Sequence, residues 1–451
     1  MPDTAAIIAK YSQNIPRYTS YPTAPHFRND EGGRLVETML SSIGQHERIS
    51  LYLHIPFCDK LCWFCGCHTK HTLQYAPVEA YVGSLVEEIR LVSQRIGFKA
   101  ALEHVHFGGG SPSMLERSDF QRLREALETA FAVDEKTEIS VEVDPSDVKP
   151  GTIEGLSDLG ITRGSIGVQD FHPEVQAAIN RPQSFELTRD VVIALREAGV
   201  RSLNIDARYG LPLQTRDRME DTILKVIELK PDRTAIFGYA HVPWMKKHQQ
   251  MIRDEDLPDG LQRLQQAERA GWVFATHGYE RIGFDHFALP HDSMAVAARE
   301  GRLHRNFQGY TTDACDTLIG LGASSISKFR GGYLQNIVAT NQYREAVAEG
   351  RLTASKGFEL SQDDIVRAFM IERLMCDFEI DPAMLEAQFG AVANPYIREI
   401  QLAAASEADG LCRMQDGKFV VPAEMRQFVR IVAAKFDAYL KDSGFRYSRA
   451  V

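Results

Sequence analysis

Four of the seven cysteines, Cys58, Cys62, Cys65 and Cys67, fall within ten residues, in the string His54-Ile-Pro-Phe-Cys-Asp-Lys-Leu-Cys-Trp-Phe-Cys-Gly-Cys67, while Cys315, Cys376 and Cys412 are scattered. A secreted disulfide scaffold would be small and cysteine-dense throughout, so clustered thiols in a chain of 451 residues point instead to metal or redox chemistry. The Cys58-x3-Cys62-x2-Cys65 spacing suits one face of a compact cluster such as [4Fe–4S], which normally takes four cysteine ligands. With only three from the protein, one iron keeps an open position for chemistry. The competing reading is zinc with His68 or Cys67 as fourth ligand. Structural zinc usually gathers two separated pairs, and no distant pair exists here.

Further residues with chemical potential lie downstream. Gly108-Gly-Gly-Ser-Pro112 can bring backbone close to a ligand and aim N–H groups at a carboxylate, or can simply reverse the chain. Glu142 alternates with Val141 and Val143, which turns it inward, where its charge must find donors in a ligand or in an internal ion pair. Tyr52 alternates with Leu51 and Leu53 towards the same interior. Gln169, Arg181 and Asp206 sit on or near successive strand ends; each taken alone is more often a structural hydrogen-bonding residue.

These residues need a scaffold that delivers them to one place. Short β-rich segments at Ser50–His54, His104–Phe107, Glu138–Val143, Gly164–Val168, Ser202–Asp206 and Thr234–Tyr239 alternate with helical periodicity at Val78–Ile96, Phe120–Phe131, Leu187–Ala198, Arg216–Leu229 and Leu261–Ala270. About six β–α units predict an α/β fold with a parallel sheet curled into a partial (βα)6 TIM-like barrel. The motifs follow the strands, at the strand ends that carry active sites in such folds. Residues 1–45, with Pro16, Pro22 and Pro25, read as an irregular arm packed on the body; 46–350 read as the partial-barrel catalytic domain, and 351–451 as a mostly helical, winged-helix-like domain. In that last part helices are expected at Asp363–Cys376, Pro382–Phe389 and Pro395–Ala408, with Asn394 as N-cap. A hairpin about Asp416-Gly417 and a final helix over Glu424–Leu440 complete it.

Lys+Arg 51 against Asp+Glu 61 gives a net charge of −10, which argues against broad nucleic-acid or anionic-membrane binding. The C-terminal segment has no concentrated basic run, so it reads as a lid or packing domain rather than a DNA-binding one. No apolar run is long enough for a membrane span and the N-terminus lacks a signal pattern, so a cytoplasmic protein, monomeric and without membrane insertion, is expected.

The C-x3-C-x2-C spacing, with Phe64 before the last cysteine, resembles the signature of the radical S-adenosylmethionine (SAM) superfamily. Longer strings resemble one of its families, the oxygen-independent coproporphyrinogen III oxidases. They are Pro16-Arg-Tyr-Thr-Ser-Tyr-Pro-Thr-Ala24, Leu53-His-Ile-Pro-Phe-Cys58, Gly167-Val-Gln-Asp-Phe171, Tyr209-Gly-Leu-Pro-Leu-Gln-Thr215, Tyr239-Ala-His-Val-Pro243, Asp285-His-Phe-Ala288 and His304-Arg-Asn-Phe-Gln-Gly-Tyr-Thr-Thr312. The resemblance implies a [4Fe–4S] cluster on Cys58, Cys62 and Cys65, with Cys67 beside it, catalytic but not a ligand. It implies two SAM molecules: Tyr52, Gly109, Glu142 and Ile326 match contacts of the one on the cluster, and Phe64, Gly110, Ser111, Gln169, Arg181, Asp206 and Ala240 match contacts of the second. The implied reaction converts two propionate side chains of coproporphyrinogen III to vinyl groups through a 5′-deoxyadenosyl radical, giving protoporphyrinogen IX. It needs a reductant for the cluster and an electron acceptor, neither of which the residues identify. A tetra-anionic substrate needs local cations, for which His304 and Arg305 are candidates.

Two departures from the family pattern stand out. Ser111 replaces a threonine, keeping the hydroxyl, and Ala207-Arg208 replaces an aliphatic pair; Arg208 is expected to turn outward rather than touch a propionate. The alternative classes are a related haem-binding chaperone, which generally lacks the Cys65-Gly-Cys67 step and the His304–Thr312 string, and a zinc-stabilised winged-helix regulator.

Overall fold

The computed structural model describes residues 4–11, 13–440, 445 and 447. Six strands form the parallel centre of the sheet: β1 (Arg48–Ile55), β2 (Ala101–Gly109), β3 (Glu138–Val143), β4 (Arg163–Gln169), β5 (Ser202–Tyr209) and β6 (Arg233–Gly238), neighbouring one another in that order. Helices α1 (Ala76–Ile96), α2 (Arg117–Ala130), α3 (Thr152–Leu159), α4 (Phe185–Glu197), α5 (Arg216–Glu228) and α6 (Gly260–Thr276) follow them in turn. The six expected strands and five expected helices are all present; α3, eight residues long, carries too short a period to be read from sequence.

Strand alternation separates the two faces. Leu51, Leu53, Val105, Phe107, Val141, Val143, Ile166, Leu203, Ile205 and Ala207 are buried in the main core. Tyr52, His106, Ser140 and Arg163, which pair in register across β1 to β4, line the barrel interior with Glu142, Ser165, Asn204 and Asp206. The same period-2 rule that makes one face apolar makes the other a polar bowl.

The sheet extends further than the sequence periodicity indicates. β7 (Leu318–Leu321) lies parallel beside β1, and β8 (Ile326–Phe329), β9 (Gly332–Asn336) and β10 (Ala354–Glu359) continue antiparallel from it. Short antiparallel strands at Glu280–Ile282 and His286–Ala288 close the other side. The first segment is less irregular than expected: Thr4–Tyr11 and Glu31–Ser41 are helical. The second of these buries Leu35, Val36, Met39 and Leu40 in the main core.

The C-terminal part contains the three expected helices, here Gln362–Asp377, Pro382–Phe389 and Asn394–Ala405. Its small sheet adds Glu379–Ile380 to the hairpin strands Arg413–Gln415 and Lys418–Val420. Asp416 and Gly417 both take positive φ (51° and 78°), as a tight two-residue turn that matches strand twist requires. Two expectations fail. Asn394 is the first helical residue, not a side-chain cap, because the preceding turn Gly390–Ala393 runs directly into the helix. The final helix is broken into tight turns at Ala423–Phe428 and Ala434–Phe436 around one short α segment, Val429–Ala433. This part has its own core, to which Ile7, Ile8, Ile15, Tyr18 and Tyr21 of the N-terminal segment contribute. Among the described residues, no helix is long and apolar enough to cross a membrane.

Candidate active site

The polar bowl opens into one cavity of about 720 Å3 at the C-terminal ends of the strands. Cys58, Cys62, Cys65, Cys67, Tyr52, Phe64, Gly109, Gly110, Ser111, Glu142, Gln169, Arg181, Asp206, Ala240, Ile326 and Arg305 all line it. His304 does not; its Nδ1 lies 3.3 Å from Glu372 Oε1. Neighbours in a strand face opposite ways, so His304 and Arg305 cannot both point inward.

The cysteine loop leaves β1 through Ile55-Pro56 and is fixed by groups from several elements. Lys246 Nζ donates to the Cys67 carbonyl (2.8 Å), Gln249 Nε2 to that of Phe64 (3.0 Å) and Asn180 Nδ2 to that of Leu61 (2.9 Å). His248 Nε2 lies 2.7 Å from the Cys65 carbonyl and His54 Nε2 2.9 Å from that of His68. The backbone N–H of Cys67 donates to Cys65 Sγ (3.3 Å), and Arg181 Nη1 reaches Cys62 Sγ (3.5 Å) and Asp144 Oδ2 (2.8 Å). The Cys65 thiol is drawn down to about 6 by its hydrogen bonding with Cys67, helped by the charges of Arg208 and His248. Burial pushes Cys58 up to about 12. Cys67 keeps accessible surface although protein surrounds it on all sides, because what it faces is the cavity.

All seven cysteines are free thiols. Among the described residues no three His, Cys, Asp or Glu side chains converge on a point that would hold a single ion. Three thiols around a cavity wall, one bonded by a buried guanidinium whose Nε is still without a partner, fit a multi-iron cluster whose ligands bind different atoms. They fit a mononuclear zinc site poorly.

Next to this loop the glycine turn ends β2. Gly109 has φ +113°, and a Cβ there would stand 2.3 Å from His54 Nδ1; one on Gly110 would stand 2.5 Å from the Phe57 carbonyl oxygen. The turn therefore packs so closely on the cysteine loop that a side chain is excluded. Glu142 Oε2 accepts from the Gly109 N–H (3.1 Å) and Oε1 lies 3.3 Å from His106 Nε2. Burial works against its charge, but these hydrogen bonds and the two neighbouring histidines prevail and hold the carboxyl below its usual range. Glu142 thus points inward as expected, and it has internal partners in Gly109 and His106.

Opposite, Gln169 takes a left-handed φ of +71° where β4 bulges against β5, a strained backbone state that positions its side chain over the cavity. Asp206 accepts from Asn204 Nδ2 (2.8 Å), and burial raises its carboxyl. Arg208 corrects the expectation that it turns outward. Being two residues from Asp206 it shares that face, donates to Gln169 Oε1 (2.8 Å), and stacks over Phe64 (5.1 Å) and Phe237 (5.8 Å). Asp144 was marked from sequence only by its place after β3, not as the ion partner of Arg181, and the pinning residues Lys246, His248 and Gln249 were missed. None of these carries a local motif; His54, in the string before Cys58, is the one whose position was marked.

Comparison with known proteins agrees with this geometry. A model described as Radical SAM superfamily matches residues 52–226, and one described as HemN C-terminal domain matches 360–428. The oxygen-independent coproporphyrinogen III oxidase of Cereibacter sphaeroides is 46% identical over 440 residues, 98% of this chain and 97% of that one. That of Bradyrhizobium diazoefficiens is 44% identical over 439 residues, 97% and 98%. The solved structure of coproporphyrinogen III oxidase from Escherichia coli, a radical SAM enzyme, superposes with a TM-score of 0.89 at 38% identity, covering 95% of this chain and 100% of that chain. With a cysteine loop, a glycine turn and a polar barrel interior sharing one cavity, this chain belongs to the oxygen-independent coproporphyrinogen III oxidase family of radical SAM enzymes.

Proposed function

We propose that the protein oxidatively decarboxylates two propionate side chains of coproporphyrinogen III to vinyl groups, without oxygen, giving protoporphyrinogen IX in haem biosynthesis. The observation that carries this is the single cavity on which the three cysteines, the glycine turn and a set of arginines all open. At each propionate the β-carbon gives up a hydrogen atom, the carboxylate leaves as carbon dioxide, and one electron departs, leaving a vinyl group.

Cys58, Cys62 and Cys65 hold the [4Fe–4S] cluster. When bound, cluster and SAM supply the one-electron cleavage that generates a 5′-deoxyadenosyl radical. The chain's own residues set the stage for it. Arg181 balances the Cys62 thiolate and is itself balanced by Asp144, so the site takes on charge without leaving a buried ion alone. Tyr52, Gly109, Glu142 and Ile326 hold the SAM on the cluster; Phe64, Gly110, Ser111, Gln169, Arg181, Asp206 and Ala240 hold a second. Both sets face the same cavity, which supports two molecules side by side. Cys67 stands at the cavity wall beside the cluster loop, a catalytic residue that is not a ligand. Arg305 contacts a propionate. The cluster would need an external reductant, and the electron released with each carbon dioxide would need an external acceptor. Seven free thiols suit the reducing cytoplasm, where we place the protein as a monomer.

Anaerobic reconstitution with iron and sulfide, then incubation with coproporphyrinogen III, SAM and a reductant, yields the divinyl product and 5′-deoxyadenosine. Tight stoichiometric haem binding without porphyrinogen turnover overturns the reading in favour of a haem chaperone.

A further inference from the structure

An acidic protein must bind a substrate carrying four carboxylates, and the cavity wall shows how. Nine of its lining residues are arginines, against six carboxylates. Arg163, Arg181 and Arg233 are neutralised by Glu138, Asp144 and Asp292. Arg17, Arg208 and Arg305 make no ion pair within 4 Å among the described residues.

They come from separate parts of the chain and sit close together. Arg305 Nη2 donates to the Arg17 backbone carbonyl (3.4 Å), Arg17 Nη2 to that of Gly238 (3.0 Å), and Arg208 stands on β5 beside them. Arg305 is 9% exposed, yet its Nε and Nη1 have no partner. Its guanidinium is held over the rings of Tyr310 (4.6 Å) and Phe284 (5.3 Å), as that of Arg208 is over Phe64 and Phe237. Aromatic faces orient a cation without cancelling its charge. One nearby carboxylate, Asp285, is hydrogen-bonded to His286 Nδ1 (2.7 Å) and held below its usual range by His286, Arg305 and Arg17, so it offsets part of the charge and leaves three guanidinium groups facing one shared carboxylate. Burial and the charges of Arg208 and Arg305 press the Arg17 guanidinium down to about 10, the signature of cations gathered with too few anions. Arg430 donates to the carbonyls of Ile15 and Pro16 and thereby positions Arg17.

We propose that Arg17, Arg208 and Arg305 form a carboxylate subsite that grips the two propionates the reaction leaves intact. A propionate that becomes vinyl loses its charge, so only the retained pair can anchor the tetrapyrrole through both steps. The inference rests on coproporphyrinogen III as substrate and adds which residues hold it, and by which groups. It gives Arg208, absent from the family pattern, a role in this chain.

The test compares reconstituted holoenzyme with its Arg17→Gln, Arg208→Leu, Arg305→Gln and Arg305→Lys variants, and with Arg216→Gln, an exposed control. Fluorescence titration with coproporphyrin III and with its uncharged tetra-amide is read beside turnover. Losing one charge-assisted contact weakens the tetra-acid about tenfold or more while leaving the tetra-amide within about twofold. Arg305→Lys recovers part of the loss, KM rises more than kcat falls, and the monovinyl tricarboxylate escapes before the second decarboxylation. Equal losses for acid and amide, unchanged affinity for both, or lost affinity for SAM in place of the porphyrin overturn the subsite. If the unaltered enzyme forms no vinyl product, the proposed function fails instead, whatever the arginine variants do.

Discussion

Asp147→Asn tests the electrostatic reading of the layer behind the glycine turn. Asp147 lies after β3, where Oδ1 accepts from Ser113 Oγ (2.6 Å), which in turn is 2.9 Å from Ser111 Oγ; Oδ2 has no partner. Burial, with Asp144 and Asp59 nearby, pushes its carboxyl up to about 7 from 3.8. A carboxyl that holds its proton more tightly when folded costs nothing while both states are protonated; the cost grows as pH rises above the unfolded value and is complete above the folded one. At 1.36 kcal/mol per unit, that cost is about 1–2 kcal/mol at pH 5 and about 4 kcal/mol at pH 8. Asparagine keeps the acceptor for Ser113 and never ionises. Its advantage therefore widens by roughly 2–3 kcal/mol between pH 5 and pH 8, an increase in the Tm difference of about 2–3 °C for a chain of 451 residues. Thermal unfolding of both holoproteins across that range is the assay. An offset that does not change with pH, or a variant less stable than the parent at pH 8, refutes the argument.

Two other substitutions test the site itself. Cys62→Ser abolishes the iron–sulfur absorption, whereas Cys67→Ser keeps it and slows vinyl formation; loss of the cluster in both overturns the ligand assignment. Gly109→Ala forces a β-carbon onto the His54 ring at a positive φ that alone costs about 1–2 kcal/mol, so SAM affinity falls at least about tenfold while iron content is retained. Unchanged SAM binding by equilibrium dialysis contradicts that placement.

Much of the barrel was legible because its strands are bounded by helices long enough to show a period, and because polar and apolar residues alternate along them. The strands β7 to β10 were not, being four to six residues long and joined by short turns with no helix between β7, β8 and β9. The helix Glu31–Ser41 was masked by prolines upstream that suggested irregularity for the whole segment. Within the site, the cysteines and glycines announced themselves through spacing. Arg208 did not: its direction follows from β5 continuing to Tyr209, so that it shares the face of Asp206, whereas the expected strand ended at Asp206 and left Arg208 in a loop. Partners such as His248 and Gln249 are brought in by tertiary packing alone, and no local pattern marks them.

Residues 10 and 11 bond to Asp409, Tyr18 to Asp437, and Arg430 to the carbonyls of residues 15 and 16. During synthesis residues 10–18 are made long before residues 409–437, so they find their seat only after those partners have followed. Until then Arg17 is unseated and one wall of the cavity is missing. The two ends of the chain are thus one structural unit, and the cavity wall that carries Arg17 is set only when both are in place.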